Sequence, residues 1–395
     1  MANQGENLSI DSLSSHEFTE SNTTGLKAAY IYSPDYLNLT DQFIKVPYRA
    51  SLVHTLLEAY KLLDKMDVIA PKAASDEELS CFHTKDYIDI VKKLSADGDL
   101  EKCAETADEY GLCYDCPAYE GVYEYAAMVA GASQLGAKLL NEKKYQVVMN
   151  WFGGWHHAKK DEAAGYCYFN DIVLGILELR EKHDRVLYID LDLHHGDGIY
   201  KSVEDAFCGT SKVMTISLHK FSPGFFPGTG SLTDVGFGKG RFYSLNVPLL
   251  DGIDDEQYFQ IFKRLICKVI EQFNPGAVVC QCGADGVAGD PMASFNLTPI
   301  GLGRCVKYLL QKRLPLLLLG GGGYNLPNTA RTWTYLTSLI LDVDLDSEIP
   351  EHRYFTEYGP DYSLPVEKGY RTDRNSEEYI AKLMTKLLDY LDEVR

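Results

Sequence analysis

The chain reads as an α/β protein with a mostly parallel sheet carrying helices on both faces. Three observations in the sequence lead there: apolar β-branched runs, amphipathic stretches between them, and chemically active clusters placed just after the runs. Five runs fit strands buried on both faces: Val147 to Phe152, Val186 to Asp192, Val213 to His219, Ala277 to Asp285 and Leu316 to Gly320. Between most of them lie helical patterns, Asn170 to Lys182, Asp254 to Phe273, Pro299 to Lys312 and Thr329 to Leu341. Strand and helix in alternation require right-handed crossovers and parallel pairing.

Composition sets the outer bounds. The 395 residues are 45% hydrophobic and 24% charged, ordinary for a globular protein and outside the fibrous and wholly disordered classes. A net charge of -19 from 57 acids and 38 bases opposes direct binding to nucleic-acid phosphates and favours a cationic partner. Ten scattered cysteines, with one CxxC pair at Cys113 and Cys116 and no second pair, predict free thiols in a reducing compartment. The longest apolar run, Leu314 to Leu319, is too short to span a bilayer, and a soluble intracellular protein is expected. Residues 1–26, rich in Ser, Thr, Asn and Glu, read as a disordered leader, and residues 27–395 as one domain. The stretch Asp97 to Asp108 reads as a short acidic loop.

Each run is followed by a cluster: GGWHH, DLDLHHGDG, SLHKFSPGFFPGTG, QCGADG and GGGGY. Ligands of open α/β sheets bind beyond the carboxyl ends of the strands, so these clusters share one edge. In YIDLDLHHGDG, Asp190, Asp192 and His194 alternate with apolar residues, and an extended strand end would project them to one side. Asp285, closing AVVCQCGAD, is the best third ligand. An Asp, His, Asp set with an open position suits a catalytic zinc, whereas structural zinc prefers closed Cys and His sets; oxygen-rich ligation also admits Fe²⁺.

His156 and His157 follow Gly153 and Gly154, so a loop can turn both imidazoles toward one cavity, one to take a proton from water and the other to position it and hold charge. Each needs a carboxylate behind its outer nitrogen, and Asp190 and Asp197 are the acids left over. Gly320 to Tyr324 lacks the spacing of a phosphate loop, and its small residues instead let the Tyr324 phenol approach an oxyanion. Tyr166, Phe225 and Phe226, in glycine-flanked loops at the same edge, could wall a tube for an apolar stem.

Taken together, YIYSPDY, GGWHHAKKDEAAGYCYFNDIVLGIL, YIDLDLHHGDG, VMTISLHKFSPGFFPGTG, GADGVAGDP, GGGGYN and SEIPEHRYFTEYGPDY, in that order, resemble the class I zinc-dependent histone deacetylases over residues 28 to 393. The resemblance implies a single arginase-like domain with an eight-stranded sheet, and hydrolysis of acetyl-lysine in histones and other proteins, with short acyl groups such as crotonyl also admitted. It implies zinc on Asp192, His194 and Asp285, His157 as general base and acid, His156 as its tuning partner, and Tyr324 as the carbonyl-polarising phenol. Gly165, Tyr166, Phe226, Gly322 and Met292 match the substrate channel, and Asp115 a rim carboxylate. Asp190, Asp192, His194, Ser217 and Leu218 match a potassium site; Phe207, Thr210, Val213 and Tyr243 match a second.

The chain departs from the family pattern at four places. Tyr166 stands where Phe is usual, Gly286 follows Asp285 in place of a hydroxyl or small side chain, Phe152 replaces Ser or Ala, and Ile199 to Ser202 are extra. Phe152 and Gly286 are expected to alter packing beneath the metal, and the extra residues to disturb the second cation site. Pro327, in place of an arginine that contacts inositol phosphate, and the end of the chain at Arg395 imply an enzyme active without a co-repressor complex, in nucleus and cytoplasm. An acetylpolyamine amidohydrolase and an inactive acyl-lysine-binding scaffold are the competing readings.

Overall fold

The computed structural model describes residues 25–97, 104–196 and 206–394. The predicted leader, Asp197 and the extra Ile199 to Ser202 lie outside the described residues, apart from Gly25 and Leu26. One sheet of eight strands runs through the molecule in the order β2-β1-β3-β8-β7-β4-β5-β6. The strands are β1 (Ala28–Ile31), β2 (Asp67–Ile69), β3 (Val147–Asn150), β4 (Val186–Asp190), β5 (Val213–Lys220), β6 (Ser244–Leu249), β7 (Ala277–Gln281) and β8 (Leu316–Leu319). Every pairing among them is parallel.

The five expected strands are present, but β3, β4, β7 and β8 end one to four residues earlier than their apolar runs suggest. β1, β2 and β6 have no counterpart among the five expected strands. β2 is short and partly exposed at one edge, and β6 (SLNVPL) contains Pro248, which cannot donate to a ladder and is tolerated because β6 is the opposite edge.

Helices flank the sheet in two groups. Val122–Asn141 and Asp171–Arg180 pack on each other and against β3, β4, β7 and β8. Arg49–Ala59, Leu326–Leu341, Pro299–Leu310, Asp255–Phe273 and Glu377–Asp392 form the second, each packed on the next. Side chains fix where they begin: Asn170, Asp254 and Asn325 each accept a hydrogen bond from the backbone three residues on, at 3.1 Å. Pro327 falls in the first turn of its helix, where a missing N–H costs nothing. The expected acidic loop is partly helical, with Ala104–Glu109 forming a short helix. One contiguous core gathers residues from Ala28 to Val394. No helix among the described residues is long and apolar enough to cross a membrane.

Candidate metal centre and its cavity

The carboxyl ends of β4 and β7 are adjacent, Asp190 pairing with Gln281. Beyond β4 the chain bends, so strand alternation is not what orients the ligands. The Asp192 N–H donates to Asp190 Oδ1 at 3.1 Å and the His194 N–H to Asp192 Oδ1 at 3.0 Å. These two successive Asx turns direct Asp192 and His194 to one point. From the loop after β7, Asp285 arrives with its Oδ1 held by the Leu193 N–H at 3.0 Å and its Oδ2 2.8 Å from His194 Nδ1.

Asp192, His194 and Asp285 are all buried and offer ligand atoms within 4.8 Å of one another. The donor chemistry fits a divalent cation. Two buried carboxylates face each other, and burial, then repulsion from Asp192, pushes the Asp285 carboxyl up to about 7. A positive ion there relieves that repulsion, which one imidazole shared between them does only in part.

Supporting groups fix the ligands in place. Gln281 Nε2 and the Gly322 N–H each donate to Asp192 Oδ2 at 2.8 Å. Gly322, expected in the channel, lies against Asp285 and Asp192, where an added Cβ would fall 2.4 Å from Asp285 Oδ2.

His156 and His157 lie on the loop after β3 with ring centroids 4.0 Å apart. That loop is anchored by Asp171, whose buried carboxylate accepts from Ser133 Oγ and from the N–H groups of Gly154 and Trp155, the last two at 2.9 Å. His156 Nδ1 is 2.7 Å from Asp190 Oδ2 and its Nε2 3.7 Å from Asp192. Burial depresses the His156 imidazolium, but the Asp190 and Asp192 carboxylates outweigh it and raise its pKa to about 9.

A cavity of about 260 Å³ opens above the ligands, lined by Asp115, His157, Gly165, Tyr166, His194, Phe226, Met292 and Tyr324. Gly165, at φ +53, has no room for a side chain, since a Cβ would sit 2.4 Å from the His157 ring. The Tyr324 N–H donates to Asp290 Oδ2 at 2.7 Å, and burial holds its phenol well above the usual range. Phe226 lines the cavity, whereas Phe225 is not among its lining residues and instead stacks on the His194 ring, centroids 5.2 Å apart and the rings nearly parallel.

Ser217 stands beside Asp190 in the β4–β5 register, and its hydroxyl lies 2.9 Å from His219 Nδ1; Leu218 is buried next to it. Of the second expected cation set, Phe207 accepts the Thr210 N–H, the Tyr243 carbonyl accepts the Thr215 N–H, and Val213 opens β5. Phe152 packs edge-on against Tyr30 and Tyr36. A Cβ on Gly286 would meet Phe295 at 3.4 Å, so that glycine leaves space for a small side chain.

Four residues that hold the site escaped sequence reading: Asp171, Gln281, Asp290 and Arg49. Arg49 Nη1 donates to the Gly321 and Gly323 carbonyls at 3.0 Å each, with its guanidinium over the Trp155 and Trp333 rings.

A parallel α/β sheet with an Asp-His-Asp centre, a histidine pair and a phenol at one cavity defines a metal-dependent hydrolase of the deacetylase class. The histone deacetylase domain matches residues 44–340, and the chain belongs to that family, within class I. It is 58% identical to Histone deacetylase 8 of Xenopus tropicalis over 370 residues, 93% of this chain and 99% of the relative. Histone deacetylase 8 of Danio rerio is 57% identical over 365 residues, 92% and 95% of the two chains. Human Histone deacetylase 1 is 45% identical over 345 residues, 87% of this chain and 70% of the relative.

Proposed function

We propose that this enzyme removes acetyl groups from lysine side chains of histone tails and other proteins, releasing acetate and free lysine. The observation that carries the reading is the convergence of Asp192, His194 and Asp285 at a cavity that His157 and Tyr324 also line. Those three residues would hold zinc, with Fe²⁺ also compatible with the donor set. When bound, the ion supplies Lewis-acid polarisation of the amide carbonyl and acidifies the attacking water.

The chain's own groups handle the protons. His156 is engaged by Asp190 and does not line the cavity, whereas His157 does and accepts the proton as water adds to the carbonyl carbon. Tyr324, kept neutral by burial, donates its O–H to the developing oxyanion. As the C–N bond breaks, His157 returns the proton to the departing lysine nitrogen. Tyr166 and Phe226 flank the aliphatic stem, Met292 completes the wall, and Asp115 accepts from the substrate main chain at the rim. Potassium would occupy the Asp190, Asp192, His194, Ser217 and Leu218 set, and a second ion the Phe207, Thr210, Val213 and Tyr243 set.

Action on histones in the nucleus is supported by the relatives' names and by the net negative charge of the chain, which suits cationic histone tails. Short acyl groups such as crotonyl would share the site, and no co-repressor is required. Acetate release from an acetyl-lysine peptide and from acetylspermidine, measured side by side, tests the assignment. The peptide is the expected substrate; faster turnover of acetylspermidine would transfer the enzyme to polyamine chemistry.

A further inference from the structure

Tyr166 carries a hydroxyl that the channel wall does not need. The ring alone forms the wall, and its edge meets the Tyr324 ring with centroids 5.8 Å apart. Its hydroxyl has no hydrogen-bond partner among the described residues, and it is not among their buried unpaired atoms, so it is accessible at a ring that lines the cavity. The backbone of Tyr166 is left-handed, φ +69, directly after Gly165, whose N–H donates to Asp115 Oδ2 at 2.8 Å. The phenol and the rim carboxylate therefore belong to one tied unit. The Lys45 ammonium lies 4.8 Å from the Tyr166 ring centroid. A cation on the ring face draws electron density from the phenol and makes its O–H a stronger donor. Burial and then the Asp115 charge raise the phenol above its usual range, so it stays protonated.

We propose that the Tyr166 hydroxyl is a specificity-determining donor at the channel mouth: it donates to a main-chain carbonyl of the substrate while Asp115 accepts a main-chain N–H. A donor and an acceptor on one rim recognise a polypeptide flanking the acyl-lysine, and an acylated amine without a main chain offers the Tyr166 hydroxyl no carbonyl to accept from it. The inference rests on the deacetylase reading above and narrows its substrate to lysine within a polypeptide.

The test compares wild type with Tyr166→Phe on an acetyl-lysine tripeptide and on N-pentylacetamide, which has the same stem and scissile amide but no main chain. One net hydrogen bond is typically equivalent to about fivefold in binding. The variant should raise KM for the tripeptide about fivefold with kcat within twofold, and the ratio of kcat/KM for tripeptide over N-pentylacetamide should fall about fivefold. An unchanged ratio, whether both rates fall or neither does, overturns the proposal, as does a loss confined to kcat. Wild type releasing acetate from neither compound would instead refute the deacetylase reading itself.

Discussion

Tyr324→Phe isolates one atom of the proposed chemistry. The Tyr324 N–H bond to Asp290 and the edge contact with Tyr166 do not involve the hydroxyl, so Phe keeps the ring where it is. Burial raises the phenol well above its usual range. Removing one donor aimed at an oxyanion costs about 2.7–4 kcal/mol of transition-state stabilisation, or roughly 10²–10³ in kcat. The ground-state carbonyl depends less on that donor, so KM should change by no more than about threefold. With no packing atom lost, the melting temperature should stay within about 2 °C of wild type. The assay is acetate release from an acetyl-lysine peptide with zinc in excess. A folded variant retaining kcat within threefold of wild type would refute the role given to the phenol.

Other groups give separate expectations. Asp171→Asn replaces a carboxylate that faces three donors with an amide that can turn an NH₂ toward them, which should cost about 3 kcal/mol of stability. It should also lower kcat by loosening the histidine loop, and unfolding by denaturant together with kinetics checks both. His83 is buried, its Nε2 accepts the Asn170 N–H at 2.9 Å, and burial drops its pKa to about 3 from 6.5. The unfolded chain therefore binds a proton below pH 6.5 that the folded chain refuses until about 3, so stability falls as pH drops through that window. At pH 5 the loss from His83 is about 2 kcal/mol, and His83→Gln should remove that part of the pH dependence in unfolding measured at pH 7.5 and 5.

Much of this architecture was legible in the residues, for definite reasons. Strands buried on both faces read as nearly unbroken apolar runs, which exposed β4, β7 and β8. β2, three residues at an edge, and β6, with Asn246 and Pro248, carry no such signal. The candidate metal ligands stand out because ionisable residues directly follow apolar strands. Their presentation was misjudged, since two Asx turns aim Asp192 and His194 where strand alternation was expected to.

Asp171, Gln281 and Asp290 stayed hidden because their partners are backbone groups or side chains elsewhere in the chain. Two faint signals existed: an acid heading the nearly all-apolar DIVLGIL, and a glutamine closing the buried AVVCQ. An unneutralised or unbonded polar group in such a place is costly enough to imply a specific partner. Phe225 was read as a channel wall by its loop and its neighbours, but sequence cannot tell a ring facing the cavity from one stacked on His194.

The central claim is that Asp192, His194 and Asp285 hold the ion on which hydrolysis depends, and acetate release from an acetyl-lysine peptide before chelation, after it, and after zinc is restored tests it most directly. The expected course is activity, its loss, and its recovery with one zinc per chain, with no recovery in Asp285→Ala. Full activity in metal-free protein, or recovery in that variant at the wild-type zinc concentration, would contradict it.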